Sequence, residues 1–184
     1  MERKIMDRRE IEEILKEMAD KIEREYDLDD LVLIGIKRRG AILADRVNKL
    51  LSKKLPVGYL DITFYRDDFS KIGAHPVVGT TEILFDIDNK KIILIDDVLY
   101  TGRTIRAALE ALIDFGRPEF VKLFVLIDRG HRELPICADF VGKKIDIGKD
   151  EMVEVKLKEI DRIDEVIIVK KWNGKEKTLS DLKI

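Results

Sequence analysis

The 184-residue sequence predicts an α/β fold, a central, mostly parallel, twisted sheet flanked by helices. Three observations point there. Two apolar runs, "KIILID" (91–96) and "FVKLFVLID" (120–128), bracket a helical stretch, "TGRTIRAALEALIDFG" (101–116), at the spacing of a parallel crossover. A third run, "LVLIGI" (31–36), is continuously apolar, as in a strand covered on both faces. A polar or charged turn follows each run, which is where open α/β sheets bind ligands.

The elements follow in order. Ile11, Ile14, Leu15, Met18 and Ile22 recur at helical spacing among charged neighbours, so residues 7–25 form an amphipathic helix. After the strand at 31–36, "KRRG" makes a turn and "AILADRVNKLLSKK" (41–54) returns to helical spacing. "VGYLDITFYR" (57–66) reads as a strand. Residues 67–81 lack periodicity and form a long loop, a length that usually marks function or mobility. The helix after "KIILID" carries Ile105, Leu109 and Leu112 on its apolar face and stops at Gly116 and Pro118. Shorter strands are expected in "ADFVGKKI", "MVEVKL" and "EVIIVKK". No repeat or linker divides the chain, so 1–184 reads as one domain, with a tail near 171–184 left unassigned.

Charged residues make up 39% of the chain, yet the net charge is only −2, so a nucleic-acid surface would have to be a local patch. Glutamine is absent and asparagine occurs three times, a composition common in heat-loving sources. Cys137 is the only cysteine, which excludes an internal disulfide and fits a reducing compartment. The charged start, "MERKIMDRREIEEILKEM", has no signal-peptide core, and no apolar run reaches membrane-spanning length. A soluble cytoplasmic protein is expected.

The most informative stretch is "IILIDDVLYTGRT" (92–104). Adjacent Asp96 and Asp97 repel each other, so a cation or hydroxyl donors should compensate. Thr101-Gly102-Arg103-Thr104 opens a helix, where backbone N–H groups, hydroxyls and the dipole favour a phosphate. Hydroxyl acceptors beside phosphate donors suit a sugar phosphate. A Walker B strand also ends in acids, but no G-x-x-x-x-G-K-[ST] lies upstream. A receiver domain would carry its acidic pair after the first strand.

This pattern resembles the signature of the type I phosphoribosyltransferases, which bind 5-phosphoribosyl 1-diphosphate. The resemblance implies that Asp96 and Asp97 take the ribose hydroxyls, and that Val98, Leu99, Tyr100, Thr101, Gly102, Arg103 and Thr104 line the phosphate side. Lys37, Arg38, Arg39 and Gly40 occupy the position of the family's diphosphate loop. A flexible hood loop, about 66–81, would close over the reacting sugar, with Arg66 and Asp67 joining the acidic pair in catalysis. Magnesium would arrive with the diphosphate, Asp67 or Asp68 being its candidate protein contact.

"DITFYRDD", "DDVLYTGRTIRAALEALIDFGRP" and "VLIDRGHRELPI", in that order, are similar to the bifunctional pyrimidine operon attenuation regulator/uracil phosphoribosyltransferase family. That family converts uracil and phosphoribosyl diphosphate to UMP and diphosphate. Loaded with uridine nucleotides such as UMP or UTP, it also binds pyrimidine leader RNA. The resemblance implies base or nucleotide contacts at Arg129 and Val153, and a homo-oligomer, dimer or tetramer. It implies RNA contacts at Lys21, Arg24, Arg38, His131, Arg132 and Lys143. The chain departs from the family at Cys137, usually arginine, at Arg38, commonly threonine, and in "KKIDIGKDE", which replaces a Pro-Thr stretch. Two alternatives stand beside this reading: a phosphoribosyltransferase for another base without RNA regulation, and a nucleotide-sensing RNA binder with vestigial catalysis.

Overall fold

Strand β1 (Arg3–Asp7) runs directly into helix α1 (Arg8–Glu25) through a capping box. The Asp7 carboxylate accepts from Glu10 N at 2.9 Å, and the Glu10 side chain accepts from Asp7 N at 2.8 Å. The computed structural model describes residues 2–65 and 80–170. Arg66, Asp67, Asp68, most of the expected hood loop and the tail from 171 lie outside the described residues.

Strand β2 (Leu31–Ile36) leads into helix α2 (Arg39–Leu50), then β3 (Val57–Leu60), β4 (Lys91–Leu99), helix α3 (Arg103–Ile113), β5 (Phe120–Asp128) and β6 (Phe140–Lys144). These five strands form one sheet in the order β3-β2-β4-β5-β6, and every neighbouring pair is parallel. The continuous apolar runs follow from burial on both faces. Along β4, Ile93 and Ile95 join the core under α1 and α2, while Ile92 and Leu94 join the core under α3.

Strand β7 (Glu151–Lys156), the short helix α4 (Lys158–Asp161) and β8 (Glu165–Lys170) complete the described chain. With β1 they make a separate antiparallel sheet, ordered β1-β8-β7. The β1 segment "RKIMD" was not expected to be a strand, since only Met6 is fully buried in it. The segment expected as a strand over 57–66 ends at Leu60 and turns through a short 3-10 helix at Thr63–Tyr65. Strand β4 runs three residues past Asp96, so the acidic pair belongs to its carboxyl end rather than to the turn beyond.

Candidate active site

Two glycines fix the Lys37–Gly40 turn, Gly35 of β2 against the start of α2 and Gly40 against β4. A Cβ on Gly35 would stand 2.5 Å from the Ala41 Cα, and one on Gly40 would stand 2.3 Å from the Ile95 carbonyl oxygen. Only hydrogen fits at these contacts, and the start of α2 therefore sits directly beside Asp96. The Lys37–Arg38 peptide bond is cis. Residues 36–39, Asp61, Ile62, Thr63, Asp96, Asp97, Val98 and Thr104 line a cleft of about 320 Å³. Asp61, Ile62 and Thr63 were missed as site residues because their segment read as a strand.

Asp96 is buried and Asp97 is partly buried. The Asp96 carboxylate accepts from Asp97 N, and that of Asp97 from Val98 N, each at 3.0 Å. Burial, reinforced by the Asp97 charge, holds the Asp96 carboxyl well above the usual carboxylate range. Burial also raises Asp97, against the hydrogen bond with Asp96 and the Arg39 charge, which favour its ionised form. Hydroxyl donors from a ligand would relieve both by stabilising the ionised carboxylates.

Beyond β4, Gly102 caps α3 with φ of +93°, a conformation that glycine adopts without strain. The turn is braced from the β5–β6 connection. The Thr101 carbonyl accepts from Glu133 N at 2.9 Å and Leu134 N at 3.1 Å. Arg103 pairs with Glu133 at 2.7 Å. Arg132 donates to the Tyr100 carbonyl at 2.8 Å, the Ile136 carbonyl at 2.9 Å and Asp128 at 2.7 Å. Leu99 is fully buried, so it presents only backbone, and its carbonyl accepts from Arg129 N at 3.1 Å.

Arg129 is buried, with its guanidinium carbon 3.8 Å from the centre of the Tyr100 ring. Its Nε and Nη2 have no partner among the described residues. Such buried donors are unfavourable unless something accepts from them. Arg129 and His131 line a cleft of about 250 Å³ with Asp128, Gly130 and Lys144. Val153 stands in another, of about 360 Å³, with Arg39, Asp97 and Asp161.

The other sequence-derived positions are scattered. His131 Nε2 contacts the Ile147 carbonyl at 2.8 Å. Lys143 donates to the Ile5 carbonyl at 2.9 Å, and Lys21 lies 4.9 Å from the centre of the Phe140 ring. Arg24 is exposed in the last turn of α1, and Arg38 is exposed at the rim. Lys37 is bound to Glu82 at 2.6 Å and to the Thr80 carbonyl.

The phosphoribosyl transferase domain model matches residues 3–160. The chain belongs to the phosphoribosyl transferase family. Within that family it stands with proteins called bifunctional protein PyrR. The one from Caldicellulosiruptor bescii is 52% identical over 171 residues, covering 90% of this chain and 94% of its own. The one from Roseiflexus is 51% identical over 175 residues, covering 92% and 96%. Among solved structures, a hypoxanthine phosphoribosyltransferase from Staphylococcus aureus matches with TM-score 0.67 at 25% identity, covering 92% of each chain. A second, from Trypanosoma cruzi and in complex with the product IMP, shares the fold with TM-score 0.71 at 18% identity, covering 91% and 93%. The phosphoribosyl transferase fold accounts for the parallel sheet, the rim cleft and the turn at α3.

Proposed function

We propose that this protein is a regulator of pyrimidine genes that senses uridine nucleotides and binds leader RNA. It also catalyses transfer of a phosphoribosyl group to uracil, giving UMP and diphosphate. The observation that carries the reading is one rim cleft holding Asp96, Asp97, Thr104 and the Lys37–Arg39 turn. Similarity at about half of all positions to proteins called bifunctional PyrR supplies the choice of base and the second role.

The residues divide the chemistry. Asp96 and Asp97 accept from the ribose hydroxyls. The N-terminus of α3 holds the 5′-phosphate, with Thr101, Gly102, Arg103 and Thr104 around it. Lys37, Arg38 and Arg39 meet the diphosphate, whose charge grows as its bond to the anomeric carbon breaks. A uracil ring nitrogen forms the new bond to that carbon and loses its proton. Arg129, with two buried donors free among the described residues, and Val153 face the base. Magnesium would come with the diphosphate, held mainly by substrate oxygens, with Asp67 or Asp68 as its protein contact. That ion supplies charge neutralisation on the leaving group.

For RNA, Lys21, Arg24, Arg38, His131, Arg132 and Lys143 are the proposed contacts, on a homo-oligomer working in the cytoplasm. Their affinity should fall with salt. Two measurements test the reading: uracil turnover against a panel of other bases, and an RNA titration with and without UMP. Uracil-selective turnover and UMP-dependent affinity are expected. Selective turnover of a purine would replace the proposed substrate, and UMP-independent affinity would remove the sensing role.

A further inference from the structure

Arg39 is held by a residue that the sequence gives no reason to place near it. Its Nη2 donates to both carboxylate oxygens of Asp161, at 3.1 and 3.2 Å. Asp161 closes α4 and is itself fixed. Its Oδ2 accepts from Leu157 N at 2.9 Å, and its own N–H donates to the Leu157 carbonyl at 2.7 Å. The acid is therefore presented from a tight turn between β7 and β8, in the antiparallel sheet.

At the other edge of the same guanidinium, Nε is buried and has no partner among the described residues. A buried N–H is stable there only when an acceptor arrives. Arg39 and Asp97 are shared by two clefts, one containing Lys37, Arg38 and Asp96, the other Val153 and Asp161. The guanidinium thus stands between the proposed diphosphate and base positions.

We infer that Asp161 is a positioning residue for phosphoribosyl transfer, gripping Nη2 so that the rest of the Arg39 guanidinium is aimed at the diphosphate oxygens. This rests on the phosphoribosyl reading above. A purely Coulombic account gives the opposite sign. The Asp161 charge offsets the pull of Arg39 on a diphosphate, so its removal would then tighten binding. Orientation outweighs that offset because the donor in question is buried and useful in one direction only. Once released, the long side chain would spread over many rotamers.

The test is calorimetric titration of the full chain with magnesium phosphoribosyl diphosphate, alongside steady-state kinetics. Asp161→Asn is expected to raise both Kd and KM for the sugar diphosphate about five- to tenfold, with a smaller change in KM for uracil. Asp161→Glu keeps the charge but shifts the carboxylate by one methylene, and should fall between wild type and Asp161→Asn. In an Arg39→Met background neither change at Asp161 should add more than about twofold. Either variant alone decides the matter if the other fails to fold, because its coupling to Arg39 is what is read. Unchanged or tighter binding, or effects that multiply fully with Arg39→Met, would overturn the inference while leaving the function standing. Failure of the wild type to bind the sugar diphosphate would overturn the functional reading and this inference with it.

Discussion

Gly40→Ala should damage activity more than stability. The added Cβ would meet the Ile95 carbonyl oxygen at 2.3 Å, about 1.1 Å inside ordinary contact at 3.4 Å, and the Asp96 Cα at 3.2 Å. Both neighbours are backbone of a strand paired on each side, so they cannot move aside as a side chain would. The start of α2 must therefore lift away, carrying Lys37, Arg38 and Arg39 from the acidic pair. Overpacking costs about 1–3 kcal/mol, offset by roughly 1 kcal/mol from replacing glycine by alanine in a helix. A net loss of up to about 2 kcal/mol lowers the melting temperature by up to about 8 °C in a domain of this size. A displacement near 1 Å at reacting groups costs about 100-fold in rate. Turnover of uracil and phosphoribosyl diphosphate, with a thermal melt on the same samples, measures both. If kcat/KM changed less than threefold in a folded variant, the turn would not need its close approach to β4 and the geometric reasoning would fail.

Asp96→Asn should impair function yet stabilise the unliganded protein at neutral pH. The Asp96 carboxyl is raised in the fold, so the unfolded chain loses its proton first, and stability falls as pH rises above about 3.8. Asparagine escapes this, so its melting advantage should appear at pH 7 and shrink toward pH 4, while turnover drops roughly 10- to 100-fold with the loss of a charged acceptor. Arg46 joins α2 to the α4–β8 region through Glu159 and Asp164, each at 2.6 Å. Arg46→Ala should cost about 2–4 kcal/mol by taking the ionic partner from the nearly buried Asp164 carboxylate, to which the Lys158 N–H still donates. Both acids are depressed by Arg46, so this contribution is present above about pH 4.5 and lost as pH falls, and melts at pH 7 and pH 3 should show the gap closing. Arg132→Ala removes donors to Tyr100, Ile136 and Asp128. It should lower kcat/KM for phosphoribosyl diphosphate about tenfold as well as weaken RNA binding in a filter assay. Lost RNA affinity with full turnover would show that the brace on the phosphate turn is dispensable.

The parallel core was legible because its signal is local. Leu31–Ile36 and Phe120–Asp128 appear with the bounds read from their apolar runs, and Asp7 caps α1 where the helical spacing begins. The rim was legible for the same reason, since Asp96 through Thr104 is one contiguous strand-to-helix junction. The antiparallel sheet was only partly legible. Strands β7 and β8 were expected from their own segments, but β1 lies at the far end of the chain from them and contributes one buried residue, so only its pairing with β8 reveals the layer. Asp161 was invisible for a related cause. Nothing in "KEIDRID" distinguishes an acid that reaches Arg39 from one that faces water.

The two sheets contribute to the site in different ways. Successive strands of the parallel sheet carry the proposed ligand contacts at their carboxyl ends, and these lie on short chain segments that sequence can report. The antiparallel sheet supplies Val153 and Asp161 to a cleft whose other wall is Arg39 and Asp97. A base seated between them would bridge the layers, whereas the sugar phosphate would rest on one layer alone. Changes in the β7–α4 turn should therefore alter selection among bases and the aim of Arg39 without disturbing the phosphate turn, which is braced instead by Glu133 and Leu134 from the β5–β6 connection. In the proposed site, separate bracing of this kind would let one fold keep its grip on a phosphorylated pentose while the opposing layer sets which base it accepts.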